Sequence, residues 1–177
     1  QTILLPDVEN RVVDNNNTVS PGPIETRVDN KIWIGYTHPL STFLCLYEND
    51  GDFLSRHELP AACHPVDILC DPYNETWVLG AGVGKDTGVL MHLDQFGNVL
   101  HTIGDIPMPG MLAMDADDNI WFSYGANRLR RISRKTYRSM HDMELGNKYP
   151  PPYHFISAIE GIANDLEGNI IVIQNID

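Results

Sequence analysis

Residues 115–122 read DADDNIWF, and the recurrence of this segment along the chain predicts the fold. Three related segments occur elsewhere: DNKIWIG at 29–35, NETWVLG at 74–80 and GNIIVI at 168–173. Trp33, Trp77 and Trp121 follow one another at intervals of 44 residues, and Ile171 takes the tryptophan position after an interval of 50. A fixed period of this length indicates a repeat architecture in which each repeat is one supersecondary unit.

Each repeat is filled by short apolar runs that alternate with a period near two and end at Gly, Asn, Asp or Pro, a pattern typical of β-strands. In the third repeat this pattern predicts four strands, at 111–114, 120–124, 128–132 and 137–145. No segment requires a helix. Four strands in each repeat are typical of a propeller blade, so the sequence predicts an all-β protein, a β-propeller of four-stranded blades.

We expect a single domain over residues 1–177. Its blade-like units fall at about 24–60, 64–106, 109–146 and 156–177, with further N-terminal strands within 1–14. The longer last interval is explained by a proline run at 147–153, which cannot join a central sheet. Two arrangements remain open: a closed four-bladed ring completed by the N-terminal strands, or part of a larger ring. The repeat core is expected at Trp33, Trp77, Trp121 and Ile171.

The third unit resembles the repeat of NHL-type propellers and of streptogramin lyase-like propellers. In those repeats an Asp-x-x-Gly-Asn-Ile-Trp-Phe segment leads through Gly-Ala-Asn-Arg-Leu into an Arg-Ile strand. Here, residues 115–122 are followed by GANRLRRI at 125–132, and GIANDLEGNI at 161–170 is similar. The resemblance implies a propeller fold. It does not specify an activity, because propellers serve in binding, scaffolding and catalysis.

The charge and the apolar runs of the chain argue against two kinds of partner, nucleic acid and the membrane interior. A formal net charge of −12 and a pI near 4.8 oppose nucleic-acid binding, which depends on Lys and Arg neutralising phosphates. Since no apolar run approaches the roughly 18 residues of a membrane-spanning helix, we expect no membrane insertion.

Half of the twelve basic residues lie within eleven positions of the third repeat. They are Arg128, Arg130, Arg131, Arg134, Lys135 and Arg138. In an acidic protein such a cluster predicts a patch that binds a carboxylate-rich or phosphorylated partner, or an acidic face of a neighbouring subunit. The alternative is an edge strand that its charges protect against unwanted pairing.

No motif of the sequence predicts a cofactor. Asp115, Asp117 and Asn119 match the first half of a calcium-binding loop, but Ile120 and Ala126 stand where that loop needs Gly and Glu, so we interpret the segment as a hairpin turn. No His-x-x-x-His or Cys-x-x-Cys pair marks a zinc site.

Modification sites are few. The three cysteines, Cys45, Cys63 and Cys70, are an odd number, which favours free thiols over a disulfide framework. Glycosylation sequons begin at Asn16 and Asn74.

The sequence therefore favours a non-catalytic binding or scaffold propeller that contacts a protein partner or self-associates. Such a protein could be a structural component of a virion or of a secreted complex, and we favour an extracellular or virion-associated location over a cytoplasmic one. The alternative is a hydrolase or lyase with a divalent metal or a histidine at the centre of the ring, built from side chains on different blades.

Overall fold

The structure is a computed structural model that describes residues 20–38, 41–60, 63–82, 86–145 and 159–174. Fourteen strands form within these ranges, and no described residue is helical. The prediction of an all-β fold is confirmed. The strands expected within 1–14 and the proline run at 147–153 lie outside the described residues.

The strands form three antiparallel four-stranded sheets and one two-stranded sheet, each in chain order. The first sheet contains β1 (Ser20–Thr26), β2 (Ile32–His38), β3 (Ser41–Tyr47) and β4 (Phe53–Leu59). The second contains β5 (Cys63–Cys70), β6 (Thr76–Gly82), β7 (Thr87–Leu93) and β8 (Val99–Pro107). The third contains β9 (Pro109–Met114), β10 (Asn119–Tyr124), β11 (Arg128–Ser133) and β12 (Ser139–Glu144). The fourth contains β13 (Ile159–Asn164) and β14 (Ile170–Gln174).

The pairing between the first and second strands has the same register at the repeat position of every sheet. The tryptophan of each second strand stands opposite one residue of the first strand: Trp33 opposite Glu25, Trp77 opposite Leu69 and Trp121 opposite Ala113. Ile171 stands opposite Ala163 in the same way. Because side chains alternate between the two faces of a strand, equal register sends the repeat position to the same face of every sheet.

The first strands of successive sheets lie side by side: β1 contacts β5, β5 contacts β9, and β9 contacts β13. The last strands of the three complete sheets, β4, β8 and β12, are mostly exposed. Sheets whose first strands gather at the centre and whose last strands face outward form the blades of a propeller. We number them blades 1 to 4.

The core lies between the blades. Trp33 packs with Val78 and Met91 between blades 1 and 2, and Trp77 packs with Phe122 between blades 2 and 3. Each buried tryptophan therefore faces the next blade in the chain. A further buried cluster, which includes Phe43 and Tyr47, covers the face of blade 1 that is turned away from blade 2.

The fourth repeat position requires a correction. Trp33 and Trp77 are 0% and 1% exposed and Trp121 is half-buried, whereas Ile171 is 48% exposed. The expectation that Ile171 lies in the core is not met, because no described strand covers the face of β14 on which it stands.

Candidate functional site

Six hairpin turns among the described residues share one hydrogen-bond pattern. In each, the N–H of the first residue donates to the carbonyl of the fifth, and the N–H of the fourth donates to the carbonyl of the first. The turns span 27–31, 48–52, 71–75, 94–98, 115–119 and 165–169. The fourth residue of each has a positive φ, as in a type I turn followed by a left-handed residue.

These turns all lie at one end of the propeller. Each joins the first strand of a blade to the second, or the third to the fourth, and antiparallel strands bring such connections to the same end of a sheet. The turn at 133–138, between β11 and β12, joins them. We call this surface the turn face, made of residues 27–31, 48–52, 71–75, 94–98, 115–119, 133–138 and 165–169.

Contacts between neighbouring blades make the turn face continuous. The buried Arg27 donates from Nη1 to the carbonyl of Gln95 over 2.9 Å, which joins blades 1 and 2. The hydroxyl of Tyr73 donates to Oδ2 of Asp118 over 2.9 Å, which joins blades 2 and 3. Because the turns are tight and linked to one another, the surface is preorganised for binding.

Blades 2 and 3 are also joined by an ionic cluster, which we call the staple. Arg134 donates from Nε to Oδ2 of the fully buried Asp71 over 2.7 Å, and from Nη2 to Oε2 of Glu75. The same Glu75 oxygen lies 2.9 Å from Nε2 of His92, and Nδ1 of His92 lies 3.0 Å from the hydroxyl of Tyr137. A buried charge needs a partner of this kind, since an unpaired one is strongly destabilising.

Burial and charged neighbours shift the pKa values of two residues of the staple, His92 and Arg134. His92 is buried and stacks on Trp77 with ring centroids 4.0 Å apart, and this burial lowers the pKa of His92 although the Glu75 carboxylate opposes the shift. Burial opposes the charge of Arg134 as well, but the Asp71 and Glu75 carboxylates raise the pKa of the guanidinium. Burial thus favours the neutral imidazole of His92, and the two acidic neighbours favour the charged guanidinium of Arg134.

The staple is also the one group of metal-ligand type that the described residues bring together. One ligand atom each from Asp71, Glu75 and His92 lie within 4.8 Å of one another. Arg134 binds both carboxylates of this group, so the position of a cation is filled by a side chain of the protein itself. Asp71 and Glu75 belong to the β5–β6 turn and His92 to β7, so the group lies at the turn-face end of blade 2, where Arg134 of blade 3 reaches it.

Four large apolar side chains on the turn face are more than half exposed: Val28, Tyr73, Phe96 and Leu166. Each occupies the second or third position of its turn, where a side chain points away from the hairpin. Val28 and Phe96 are sequence neighbours of the two residues in the Arg27–Gln95 contact, and they flank the junction of blades 1 and 2. Arg134 lies over the ring of Tyr73, with Cζ 4.3 Å from the ring centroid. We call these four residues the apolar tips.

The predicted basic patch is dispersed by the fold. Four of its six members form ion pairs: Arg128 with Glu144, Arg130 with Asp142, Arg131 with Asp115 and Asp117, and Arg134 with Asp71 and Glu75. Strand alternation also turns Arg130 and Arg131 to opposite faces of blade 3. Lys135 and Arg138 are exposed in the β11–β12 turn and belong to the turn face.

The Asp115 segment forms the predicted turn. Oδ1 of Asp115 accepts from the backbone N–H of Asp117 over 3.0 Å and of Asn119 over 2.9 Å, and Oδ2 accepts from the indole of Trp121. Burial raises the pKa of Asp115, but these hydrogen bonds outweigh it and hold the pKa below its ordinary value. The carboxylate thus closes the hairpin from within.

The structure describes the three cysteines and the asparagine of the second sequon. Cys45, Cys63 and Cys70 are free thiols, of which the first two are buried. Asn74 is the left-handed fourth residue of its turn, and its Oδ1 is buried without a hydrogen-bond partner. Asn16 lies outside the described residues.

Sequence reasoning did not find the staple, although the repeat period carries a signal for one of its contacts, that of His92 with Tyr137. Tyr73 and Asp118, His92 and Tyr137, and the hydrogen bond from the Leu112 N–H to Asp67 each join residues 45 positions apart. Residues separated by one repeat plus one position therefore meet across neighbouring blades. Pairing polar residues at that separation would have identified the two side-chain links, Tyr73 with Asp118 and His92 with Tyr137.

Solved structures with the same architecture support the assignment. The Dos1 propeller has a TM-score of 0.68 at 10% identity, over 97% of this chain and 44% of that one. A chain of the mitotic checkpoint complex has a TM-score of 0.61 at 11% identity, over 95% and 53%. A streptogramin B lyase has a TM-score of 0.55 at 16% identity, over 89% and 67%. This chain has a β-propeller fold.

At these identities the likeness establishes the propeller fold alone. The chain spans about half the length of the first two propellers and two thirds of the lyase. No protein-family model matches the sequence, and no curated protein matches it. Among the described residues, no helix is long and apolar enough to cross a membrane.

Proposed function

We propose that this protein is a non-catalytic binding propeller that docks a protein partner on its turn face. The observation that carries the proposal is the row of apolar tips on turns that neighbouring blades hold in place. Exposed side chains of this size on a preorganised surface are typical of interaction sites, where a few large residues supply most of the binding energy.

Three further features support a binding role. The turns share one geometry, so the tips stand on a surface that needs little ordering when a partner binds. The group of metal-ligand type on this face is held by Arg134. The similar solved structures include a propeller from a multi-protein complex, the mitotic checkpoint complex.

The test is quantitative capture of a binding partner from the native source by the intact protein. A double tip variant, Val28→Ser with Phe96→Ser, should lose at least nine tenths of the captured partner. The matched control, Leu54→Ser with Met140→Ser, removes two other exposed apolar side chains, 42% and 54% exposed, from the outer strands β4 and β12 and should capture as the wild type does. Equal capture by both variants would overturn the proposal.

The same capture experiment also tests the predicted basic patch. Lys135→Glu with Arg138→Glu reverses the two charges of that patch that are exposed on the turn face and leaves the staple intact. Loss of capture in this variant alone would move the docking site from the apolar tips to the β11–β12 turn. Circular dichroism and thermal melts of every variant exclude misfolding as the cause.

A further inference from the structure

We infer that the partner segment which the turn face binds is itself basic and apolar, with Lys or Arg side chains next to aliphatic or aromatic ones. The inference rests on the proposed function and adds to it the chemistry of the partner. It follows from two properties of the turn face, the positions of its apolar tips and its charge.

The tips are distributed over the blade junctions. Val28 and Phe96 flank the junction of blades 1 and 2, and Tyr73 lies at the junction of blades 2 and 3, bound to Asp118. Leu166 is in the blade 4 turn, whose Gly168 approaches Ala116 of blade 3 so closely that an added Cβ would lie 2.2 Å from the Ala116 Cβ. A partner that covers all of the tips must therefore cross several blades, which an extended segment with spaced apolar residues does.

Acidic residues dominate the charge of the turn face. Its carboxylates belong to Asp29, Glu48, Asp50, Asp52, Asp71, Glu75, Asp94, Asp115, Asp117, Asp118, Asp165 and Glu167. Its basic residues are Arg27, Lys31, Arg134, Lys135 and Arg138. Arg27 pairs with Asp29, and Arg134 pairs with Asp71 and Glu75, so these charges largely cancel within the protein. The surplus of negative charge toward a partner therefore comes from the other carboxylates of the turn face.

Exposed carboxylates stand beside the tips. Glu167 follows Leu166 directly. Asp117, in the neighbouring turn of blade 3, pairs with Arg131, but its side chain is 82% exposed. A cation next to an apolar anchor would meet these charges, whereas an acidic segment would be repelled both locally and by the net charge of −12. Apolar side chains on the tips and basic side chains between them match this surface.

The binding test uses fluorescence anisotropy of two labelled peptides, one that alternates Lys with Leu and Tyr and one with every Lys replaced by Glu. We expect the Lys peptide to bind and the Glu peptide to bind at least tenfold more weakly. The Val28→Ser with Phe96→Ser variant should weaken Lys-peptide binding about tenfold, and the Leu54→Ser with Met140→Ser control by less than twofold. The tip variant retains every charge, so the comparison separates site binding from general attraction to an acidic protein.

A charge variant makes failure of this inference distinguishable from failure of the proposed function. Asp117→Asn with Glu167→Gln should weaken both Lys-peptide binding and partner capture severalfold, and raised salt should do the same. If the tip variant abolishes capture while the charge variant and salt have no effect, the docking site stands and the basic partner is wrong. If the tip variant captures as the control does, the proposed function itself is wrong.

Discussion

The same repeat position lies in opposite environments in two regions of the molecule. It is buried at the junction of blades 2 and 3, and it is half-exposed on the outer face of blade 4. Trp77 is 1% exposed, because Phe122 and its neighbours from blade 3 cover it. Ile171 has the same place in its strand and is 48% exposed, because no described strand follows β14. A repeat position is therefore core or surface according to the next blade, and burial in this fold is a property of neighbouring pairs of blades.

Polar contacts differ between the two regions in the same way. The junction of blades 2 and 3 is closed by the staple at the turn face and by Asp67, whose Oδ2 accepts from the Leu112 N–H over 2.7 Å. In the turn of blade 4 the side-chain hydrogen bonds join residues of the same turn; for example, Asn169 donates from Nδ2 to Asp165 over 2.8 Å. Among the described residues, the ion pairs that cross between blades lie at the junction of blades 2 and 3. The junction of blades 1 and 2, which also joins two complete blades, is linked at the turn face by the hydrogen bond from Arg27 to the Gln95 carbonyl.

Truncation of Trp77 and of Ile171 to alanine tests this comparison most directly and should give the largest difference. Trp77→Ala should lower the free energy of unfolding by about 4 kcal/mol, since it removes a fully buried indole and leaves a cavity. Ile171→Ala should cost less than about 1 kcal/mol, because half of that side chain is already in solvent. Urea denaturation measures both, and equal losses would show that the outer face of blade 4 is as well covered as the junction.

The second prediction concerns the staple. Arg134→Ala should cost about 3 kcal/mol, because it leaves the buried Asp71 carboxylate without its cation. Arg128→Ala is the matched control, since Arg128 pairs with Glu144 at the surface, where an ion pair contributes less than about 1 kcal/mol. The same denaturation measurement applies, and a loss as small as that of the control would mean that Asp71 finds another partner.

A third prediction sharpens the comparison at the turns. Gly168 has φ +80°, and an added Cβ would lie 2.9 Å from the Ala116 backbone nitrogen. Gly168→Ala should therefore cost about 1–2 kcal/mol. Asp118 has the equivalent left-handed position in blade 3. Asp118→Gly should relieve backbone strain but remove the exposed hydrogen bond from Tyr73, so stability should change by less than about 1 kcal/mol. Thermal melts distinguish the two, and tolerance of alanine at 168 would indicate that the two turns separate easily.

The smallest expected effect is on pH dependence. Burial holds the pKa of His92 below its ordinary value in the folded protein, so the unfolded chain binds a proton more readily. Stability from this group is complete above the unfolded pKa of about 6.5 and is lost as the pH falls below it. His92→Gln should flatten the decline of stability between pH 7 and pH 5. An unchanged slope would assign the decline to other groups, among them His57, whose pKa is lowered by burial too.

Much of the fold could be predicted because its signals are local. Alternating apolar residues predicted strands, and the tryptophan spacing predicted blades, since each hairpin forms from residues close in the chain. The Asp115 segment was correctly interpreted as a turn, because the residues that its carboxylate binds lie within six positions. The finer resemblance to NHL-type repeats stays a prediction.

The candidate site could be predicted only in part, because its residues come from different blades. The arginine run suggested one basic patch, but Arg131 and Arg134 pair with carboxylates on turns, and Arg134 reaches across to Asp71, 63 positions away in the chain. Charge counted along the sequence cannot tell which side chains are neutralised after folding. The apolar tips gave no signal either, since a single exposed phenylalanine or leucine has no distinctive pattern in sequence.

The sequence by itself determined the repeat, its strands and its turns, because hydrophobic alternation and turn preferences act over a few residues. Only the tertiary structure decided that Trp77 is buried while Ile171 is half-exposed, and that Arg134 fills the group formed by Asp71, Glu75 and His92. The physical reason is the same in both cases. Burial and charge pairing depend on which blade lies next to each residue, and the packing of the blades is established only in the folded protein.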